Sequence, residues 1–418
     1  MNKRLIAGLL SLPLALANAY AQEAGEAPSV KISGFGTGAL TWANTDNAQF
    51  GRSNQFSGAG KDARTGVDSN LGLQADLPVN SWLSLTAQGL VRKDAEDDYG
   101  AELAWAFAKA RLSDQLNVRV GRMGLPVFMI SDYRNVGYAN TMLRPPIEMY
   151  SQVPFNSVDG ADVTWQRSFG ATTFTAQFAV GVTKPTLAGG YHLDAKAIRA
   201  INLLAEHGPL TLRLGRADAK FSINDSPQLN TLLASLRTAG AGYKFTQLPA
   251  LADAIAVDHK KGSFTSAGLG LDWNDVVVQS EYARRKTDSY INDTTSWYVM
   301  GGYRIGKFLP YAVHATTRID SAVANTVPAA CPAGYPAACT PTMQALSAGV
   351  ARLRNTGNGQ GEQTTNSVGV RWDFYRSVAL KVQFDRVKPK NGNGLFIQPK
   401  PGFAGPVTVG AVALDFVF

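Results

Sequence analysis

The chain has 418 residues, 45% of them hydrophobic, with a mean hydropathy of -0.09. Its 40 Lys and Arg against 32 Asp and Glu give a net charge of +8, spread along the chain without a basic block. That spread argues against nucleic-acid binding. The lack of a long apolar run beyond the N-terminus argues against a bundle of membrane helices.

The first residues read as an export signal. Lys3 and Arg4 form a basic start, Leu5 to Ala17 is a short apolar stretch broken by Pro13, and Ala19-Tyr20-Ala21 is a small-x-small cleavage site. This is the anatomy of a secretory signal peptide over residues 1–21, with the mature chain beginning near Gln22. The apolar stretch falls short of the roughly 20 residues a membrane helix needs.

From Ser29 the chain alternates apolar and polar residues in segment after segment. In "SVALKVQFD", Val378, Leu380, Val382 and Phe384 share one face, while Lys381, Gln383 and Asp385 share the other. Period two marks a strand with two different faces. Sixteen such strands are expected, near 29–43, 65–77, 82–92, 98–112, 115–122, 159–167, 171–182 and 195–206, then 208–219, 262–273, 275–286, 294–304, 307–318, 362–373, 376–388 and 406–418. "GFGTG" at Gly34 lies inside the first strand, where glycine relieves crowding or marks a bend.

Connections after even-numbered strands are short ("PVNS", "SDQ", "SFGA", "ND"), and those after odd-numbered strands are longer. A soluble sandwich has no reason to alternate in this way. A transmembrane β-barrel does, with short periplasmic turns, long extracellular loops and an even strand count. Closure is required in lipid, where an open sheet edge would leave backbone groups unpaired. Residues 22–418 are therefore read as one all-β barrel domain of sixteen antiparallel strands.

Three long connections carry further signals. Residues 123–158 lack strand or helix period and are rich in Tyr, Pro and Arg. They are expected to fold into the barrel and narrow it, because a barrel of this size leaves an aqueous channel that wall side chains alone do not fill. In this constriction Asp132, Tyr133, Arg134, Tyr138, Arg144, Glu148 and Tyr150 are the candidate residues. Residues 220–261 carry Leu229, Leu232, Leu233 and Leu236 at helical spacing, so this loop is expected to be partly helical, as a cap over the mouth or a latch or gate. "CPAGYPAAC" places Cys331 and Cys339 in one Pro/Ala-rich stretch, which reads as a local disulfide in an exported protein.

The last strand ends "ALDFVF", with Leu414, Phe416 and Phe418 on one face. Together with the signal peptide and the strand count, this resembles the porins of Gram-negative outer membranes. "RVGRMGLPVF", "DYRNVGYANTMLRPPIEMYS" and "DGAD" are also similar to a porin-like group whose third loop carries a "VGYA…RPP.E.Y" pattern. The "PEFGG"-type turn of the general-diffusion porins is absent, so their constriction residues are not carried over. The resemblance implies outer-membrane location, a homotrimer, contact with membrane lipid and lipopolysaccharide, and Phe418 as part of the signal read by the barrel-assembly machinery.

No cofactor or metal motif is present, and the four histidines (His192, His207, His259 and His314) show no constellation of nucleophile, base and orienter. His314 is expected to face the lumen if Tyr311, Val313 and Ala315 face lipid. By alternation Arg119, Arg213, Arg371 and Lys381 oppose apolar neighbours and face the lumen, and Arg285 shares a face with Glu281. Basic side chains around one lumen attract anions. Asp132 and Glu148 on the loop are expected to oppose these wall cations, setting a transverse field and holding the loop. Three functions fit: a passive channel for small hydrophilic solutes with mild anion preference, a channel selective for phosphate or organic acids, or a structural or adhesive barrel with a plugged lumen.

Overall fold

The computed structural model describes residues 29–93, 95–355, 361–390 and 392–418; the expected signal peptide lies outside them. Sixteen antiparallel strands close a barrel, each bonded to its neighbours in the chain and the first to the last. They are β1 (Lys31–Ala43), β2 (Asn70–Pro78), β3 (Leu83–Lys93), β4 (Tyr99–Arg111), β5 (Leu116–Gly124), β6 (Ser157–Phe169), β7 (Thr172–Thr183) and β8 (Asp194–His207). The second half comprises β9 (Leu210–Ser222), β10 (Lys260–Trp273), β11 (Val276–Thr287), β12 (Asp293–Tyr303), β13 (Phe308–Ser321), β14 (Glu362–Tyr375), β15 (Val378–Lys390) and β16 (Val407–Val417). All sixteen expected strands are found, with ends shifted by a few residues.

Period two sets the two surfaces. Leu71 and Leu73 on β2, Phe174 and Phe178 on β7, and Leu212 and Leu214 on β9 are exposed on the outer wall. Gln88, Arg213, Glu281, Lys381 and Asp415 are buried on the inner one. Trp82, Phe169, Trp273, Tyr303, Phe308, Tyr375 and Phe418 are exposed at the end of the short turns. An apolar outer wall above an aromatic ring of side chains suits a barrel in lipid.

Closure is made by β1 and β16, in register from Phe35 opposite Val417 to Ala43 opposite Val409. Beyond it, Gly34 and Phe418 exchange both backbone hydrogen bonds at 2.9 Å. Gly34 and Gly36 have no side chain because the rings of Phe418 and Phe416 lie over them; a β-carbon would meet those rings at 2.2 and 2.4 Å. The expected crowding around "GFGTG" thus has a specific partner in the last strand.

The long connections build a cap. Residues 220–261 contain α1 (Pro227–Tyr243) and α2 (Gln247–Ile255). Ser226 caps the first, accepting from the Leu229 amide. The sequence reading did not anticipate α3 (Cys339–Asn355), in the connection between β13 and β14. Met343, Leu346 and Val350 on this helix pack against Leu236, Leu248, Leu251 and Ile255 of the other two. Cys331 and Cys339 form the expected disulfide, with Cα atoms 6.0 Å apart, and so tie the start of α3 to the loop before it.

Candidate functional site

Residues 125–156 turn inward between β5 and β6, and the inner wall holds them at many points. Arg213 donates to the carbonyls of Pro126 and Val127 at 2.7 and 3.1 Å. Glu281 accepts from the Met129 amide at 2.7 Å and from the hydroxyls of Tyr150 and Tyr298. Arg371 donates to the carbonyls of Tyr138 and Asn140 and lies 4.8 Å from the Tyr138 ring centre. Lys381 donates to the carbonyls of Gly137, Asn140 and Met142 and pairs with Asp415 at 2.9 Å. Arg285 donates to the Gln152 carbonyl at 3.1 Å.

These contacts correct the expected role of the wall cations. Arg213, Arg285, Arg371 and Lys381 do face inward, as alternation requires, but they bond the segment's backbone instead of lining open solution. The reason is backbone accounting. An irregular stretch offers carbonyl oxygens that no strand ladder satisfies, and buried carbonyls need donors. Guanidinium and ammonium groups supply several donors each. Arg119 also turns inward, but it forms a two-pronged pair with Asp162 and lies 5.2 Å from the Phe107 ring centre.

The expected opposition of loop acids to wall bases is largely reversed. The cation is on the loop: Arg144, 3% exposed, donates to Asp68 at 2.7 and 3.0 Å and to Asp385 at 2.6 Å. Glu148 is buried and accepts from Gln363 at 2.6 Å and from Thr365, both neutral. Only Asp132 remains as an exposed acid of the segment. Tyr150 is buried in the wall and Tyr138 lies under Arg371, whereas Tyr133 is 39% exposed at the inner tip.

His314 is also corrected. Tyr311, Val313 and Ala315 are buried on the inner face, so His314 points outward, 5.2 Å from the Trp297 ring centre and bonded to Asn366. The inner face of β13 is apolar because the inward segment packs on it. The Leu143 amide, for example, donates to the Tyr311 hydroxyl at 3.0 Å.

Beside the segment runs an open cavity of about 410 Å³. Arg52, Arg92, Arg134, Asp132, Trp105 and Phe155 are among its lining residues. Arg92 pairs with Glu102 at 2.8 Å. Arg134 packs 5.7 Å from the ring centres of Phe128 and Tyr150, and its buried Nε has no hydrogen-bond partner among the described residues. Burial, then Arg52 and Arg92, pull the Arg134 guanidinium down to about 9. Arg92 is compensated by Glu102, while Arg134 has no carboxylate paired with it among the described residues, so an anion beside Arg134 would be favoured. Sequence reasoning found Arg134 but missed Arg52 and Arg92. Arg92 shares the inward face with Gln88 and Leu90 by strict alternation, so it was legible. Arg52 lies in the connection between β1 and β2, where no period places a side chain.

No protein-family model and no curated protein matches the chain. Solved structures do. The OmpF of Salmonella typhi in complex with daunomycin is 12% identical, with 94% of this chain and 98% of that chain covered and a TM-score of 0.55. An anion-selective porin from Comamonas acidovorans is 14% identical, with 93% and 99% covered and a TM-score of 0.55. The outer-membrane channel DcaP of Acinetobacter baumannii is 11% identical, with 96% and 100% covered and a TM-score of 0.53. At these identities the likeness is one of architecture: this chain has the closed sixteen-stranded fold of the outer-membrane porins.

Proposed function

We propose that the protein is an outer-membrane porin, a water-filled channel for passive diffusion of small hydrophilic solutes that favours anions. The observation that carries this reading is the open cavity beside the inward segment, lined by Arg52, Arg92 and Arg134. Glu96, Glu102 and Asp132 also line it, but with Lys93, Arg122 and Lys184 the basic side chains outnumber the acidic ones, and a cleft with an excess of one sign concentrates counter-ions. In this reading residues 125–156 form the constriction, with Asp132, Tyr133 and Arg134 nearest the passage. The outer wall meets lipid and lipopolysaccharide, the chain is exported by its signal peptide, the assembly machinery reads Phe418, and three copies associate. The shared architecture with an anion-selective porin supports the direction of selectivity by analogy.

Reconstitution in planar bilayers tests the proposal. A KCl gradient should give stepwise conductance with a reversal potential on the anion side. A reversal potential on the cation side would remove the anion preference. Silence would favour the structural or plugged barrel. The unbonded Nε of Arg134 favours one refinement, a channel with a binding step for carboxylates or phosphates.

A further inference from the structure

A second cavity lies inside the barrel, where the inward segment meets the connections between β7 and β8 and between β11 and β12. It is open, with a volume of about 140 Å³. Leu125, Val153, Leu187, Ile198, Phe221 and Phe264 form much of its wall, and each of these side chains is buried. Water beside such a wall finds few hydrogen-bond partners, and an apolar group gains by displacing water that is poorly held. A space of roughly 150 Å³ takes a benzene-sized ring.

The polar residues of the wall fall into two sets. The first is already bonded within the protein. Arg285 donates to the carbonyls of Gln152 and Asn292. The Gln152 side chain donates to the Glu148 carbonyl and accepts from Thr294, and Thr287 donates to the Ile291 carbonyl. Asp218 pairs with Arg216 at 2.6 Å, and both are exposed. The second set is Tyr191, in the connection between β7 and β8, and Tyr290, in the connection between β11 and β12. Neither hydroxyl has a hydrogen-bond partner among the described residues. Burial, then the neighbouring Tyr191, hold the Tyr290 phenol above its ordinary range. Burial and Asp225 do the same for Tyr191. Both groups are therefore neutral near pH 7, and each can donate and accept. An apolar body with a few placed polar groups is the common form of a small-molecule site.

We propose that this cavity binds a small neutral ring carrying one hydroxyl, of the phenol class, with the ring against the apolar wall and the hydroxyl toward Tyr191 and Tyr290. The inference goes beyond the channel reading and does not rest on its ion preference. A ring without a polar group leaves both tyrosine hydroxyls unused. A ring carboxylate brings a charge that must lose water in a mostly apolar space, where Arg285 is already held by carbonyls.

Equilibrium binding to the whole protein in detergent tests the site, with phenol, toluene and benzoate as probes and micelles alone as the blank. Phenol should bind saturably. Tyr191→Phe combined with Tyr290→Phe keeps both rings and should weaken phenol about fivefold, the worth of one hydrogen bond, while leaving toluene unchanged. Benzoate should bind about tenfold or more weakly than phenol, because its charge loses water without gaining a partner. Ala219→Phe, which fills the cavity from β9, should abolish binding of phenol and toluene alike. Leu187→Phe, outside the barrel strands, gives the same test if the strand variant does not fold. The proposal is overturned by absence of saturable phenol binding, by a loss of phenol in the double tyrosine variant no greater than that of toluene, by benzoate binding as tightly as phenol, or by phenol binding that survives the filled variants. None of these measurements uses conductance, so a barrel silent in the bilayer would remove the channel reading and leave the site standing.

Discussion

A β-carbon at Gly34 would lie 2.2 Å from Cζ of Phe418, so the terminal ring occupies the space that the glycine leaves on the first strand. The two residues also exchange backbone hydrogen bonds at 2.9 Å, and this pair extends the seam between β1 and β16. Closure therefore depends on a small residue at one end of the chain and a large one at the other.

Gly34→Val should hinder closure. Overpacking a filled site costs about 1–3 kcal/mol, and here the ring must leave its place or the strands must part. The yield of compact, heat-modifiable barrel on a gel should fall. Gly38→Ala on the same strand is the control, because nothing lies within 4 Å of its added carbon. Equal yields for the two variants would show that the ring is free to move. Phe418→Ala should lower the amount assembled in cells while leaving the conductance of folded protein unchanged.

Lys381 is fully buried, pairs with Asp415 at 2.9 Å and donates to three carbonyls of the inward segment. Lys381→Met keeps the volume but leaves Asp415 buried with its cation gone. Breaking one side of a buried pair costs about 3–5 kcal/mol. The urea midpoint of the barrel should fall accordingly. Lys381→Met with Asp415→Leu should recover much of the loss at the pair, while residues 137–142 remain less well held and more open to protease. Recovery of full protease resistance in the double variant would contradict the anchoring role.

Most of the fold was legible because each strand states two faces at once, and those faces must agree around the whole barrel. The site was less legible for a physical reason. Arg92 and Arg371 both alternate inward, and nothing local distinguishes them. One borders the open cavity and the other bonds the carbonyls of Tyr138 and Asn140, and only the path of residues 125–156 separates these fates. The same path explains His314, since an apolar face on β13 packs the segment instead of facing outward. Met343, Leu346 and Val350 do carry a helical spacing, but the Pro and Ala residues before them mask it.

Selectivity should follow the arginines that border the cavity. A unit charge about 8 Å away in water is worth roughly 0.5 kcal/mol, which is about a twofold change in a permeability ratio. Arg134→Gln should move the reversal potential toward the cation side by that amount in about 0.1 M salt, where the screening length is near 10 Å. Arg52→Gln should act in the same direction. Arg371→Gln should shift it less, because Arg371 already pairs with Asp373 at 2.8 Å and bonds two carbonyls. A larger effect at Arg371 than at Arg134 would place the passage on the opposite wall.

The Cys331–Cys339 bridge spans a sequence separation of 8. A loop of this size contributes about 2–3 kcal/mol through the unfolded state. That contribution belongs to the cap, because α3 packs on α1 and α2 through Met343, Leu346 and Val350. Replacing both cysteines by serine should make residues 322–355 more susceptible to limited proteolysis. The barrel's own unfolding midpoint should stay in place, since neither cysteine lies in a barrel strand. A matching drop in both would mean that the cap and the barrel unfold together.

The tip of the inward segment gives the sharpest test of the constriction. Asp132 and Tyr133 are exposed, Arg134 and Asn135 are half-buried, and Asp132, Arg134 and Asn135 line the open cavity. The rest of the segment is fixed elsewhere: Arg144 by Asp68 and Asp385, Glu148 by Gln363 and Thr365, Tyr150 by Glu281. Removing residues 132–150 would destroy those anchors and confound the result. Replacing only residues 132–135 by glycine removes the side chains at the passage, including the Arg134 contact with Phe128 and Tyr150, and leaves the hydrogen-bonded anchors at Arg144, Glu148 and Tyr150. Conductance should then be measured in about 1 M KCl, where charge is screened within about 3 Å, so that width and not charge decides the outcome. A single-channel conductance above that of the wild type places the narrow point at this tip. An unchanged value in 1 M salt, with anion preference lost in dilute salt, would mean that the tip selects ions but another part of the lumen sets the width.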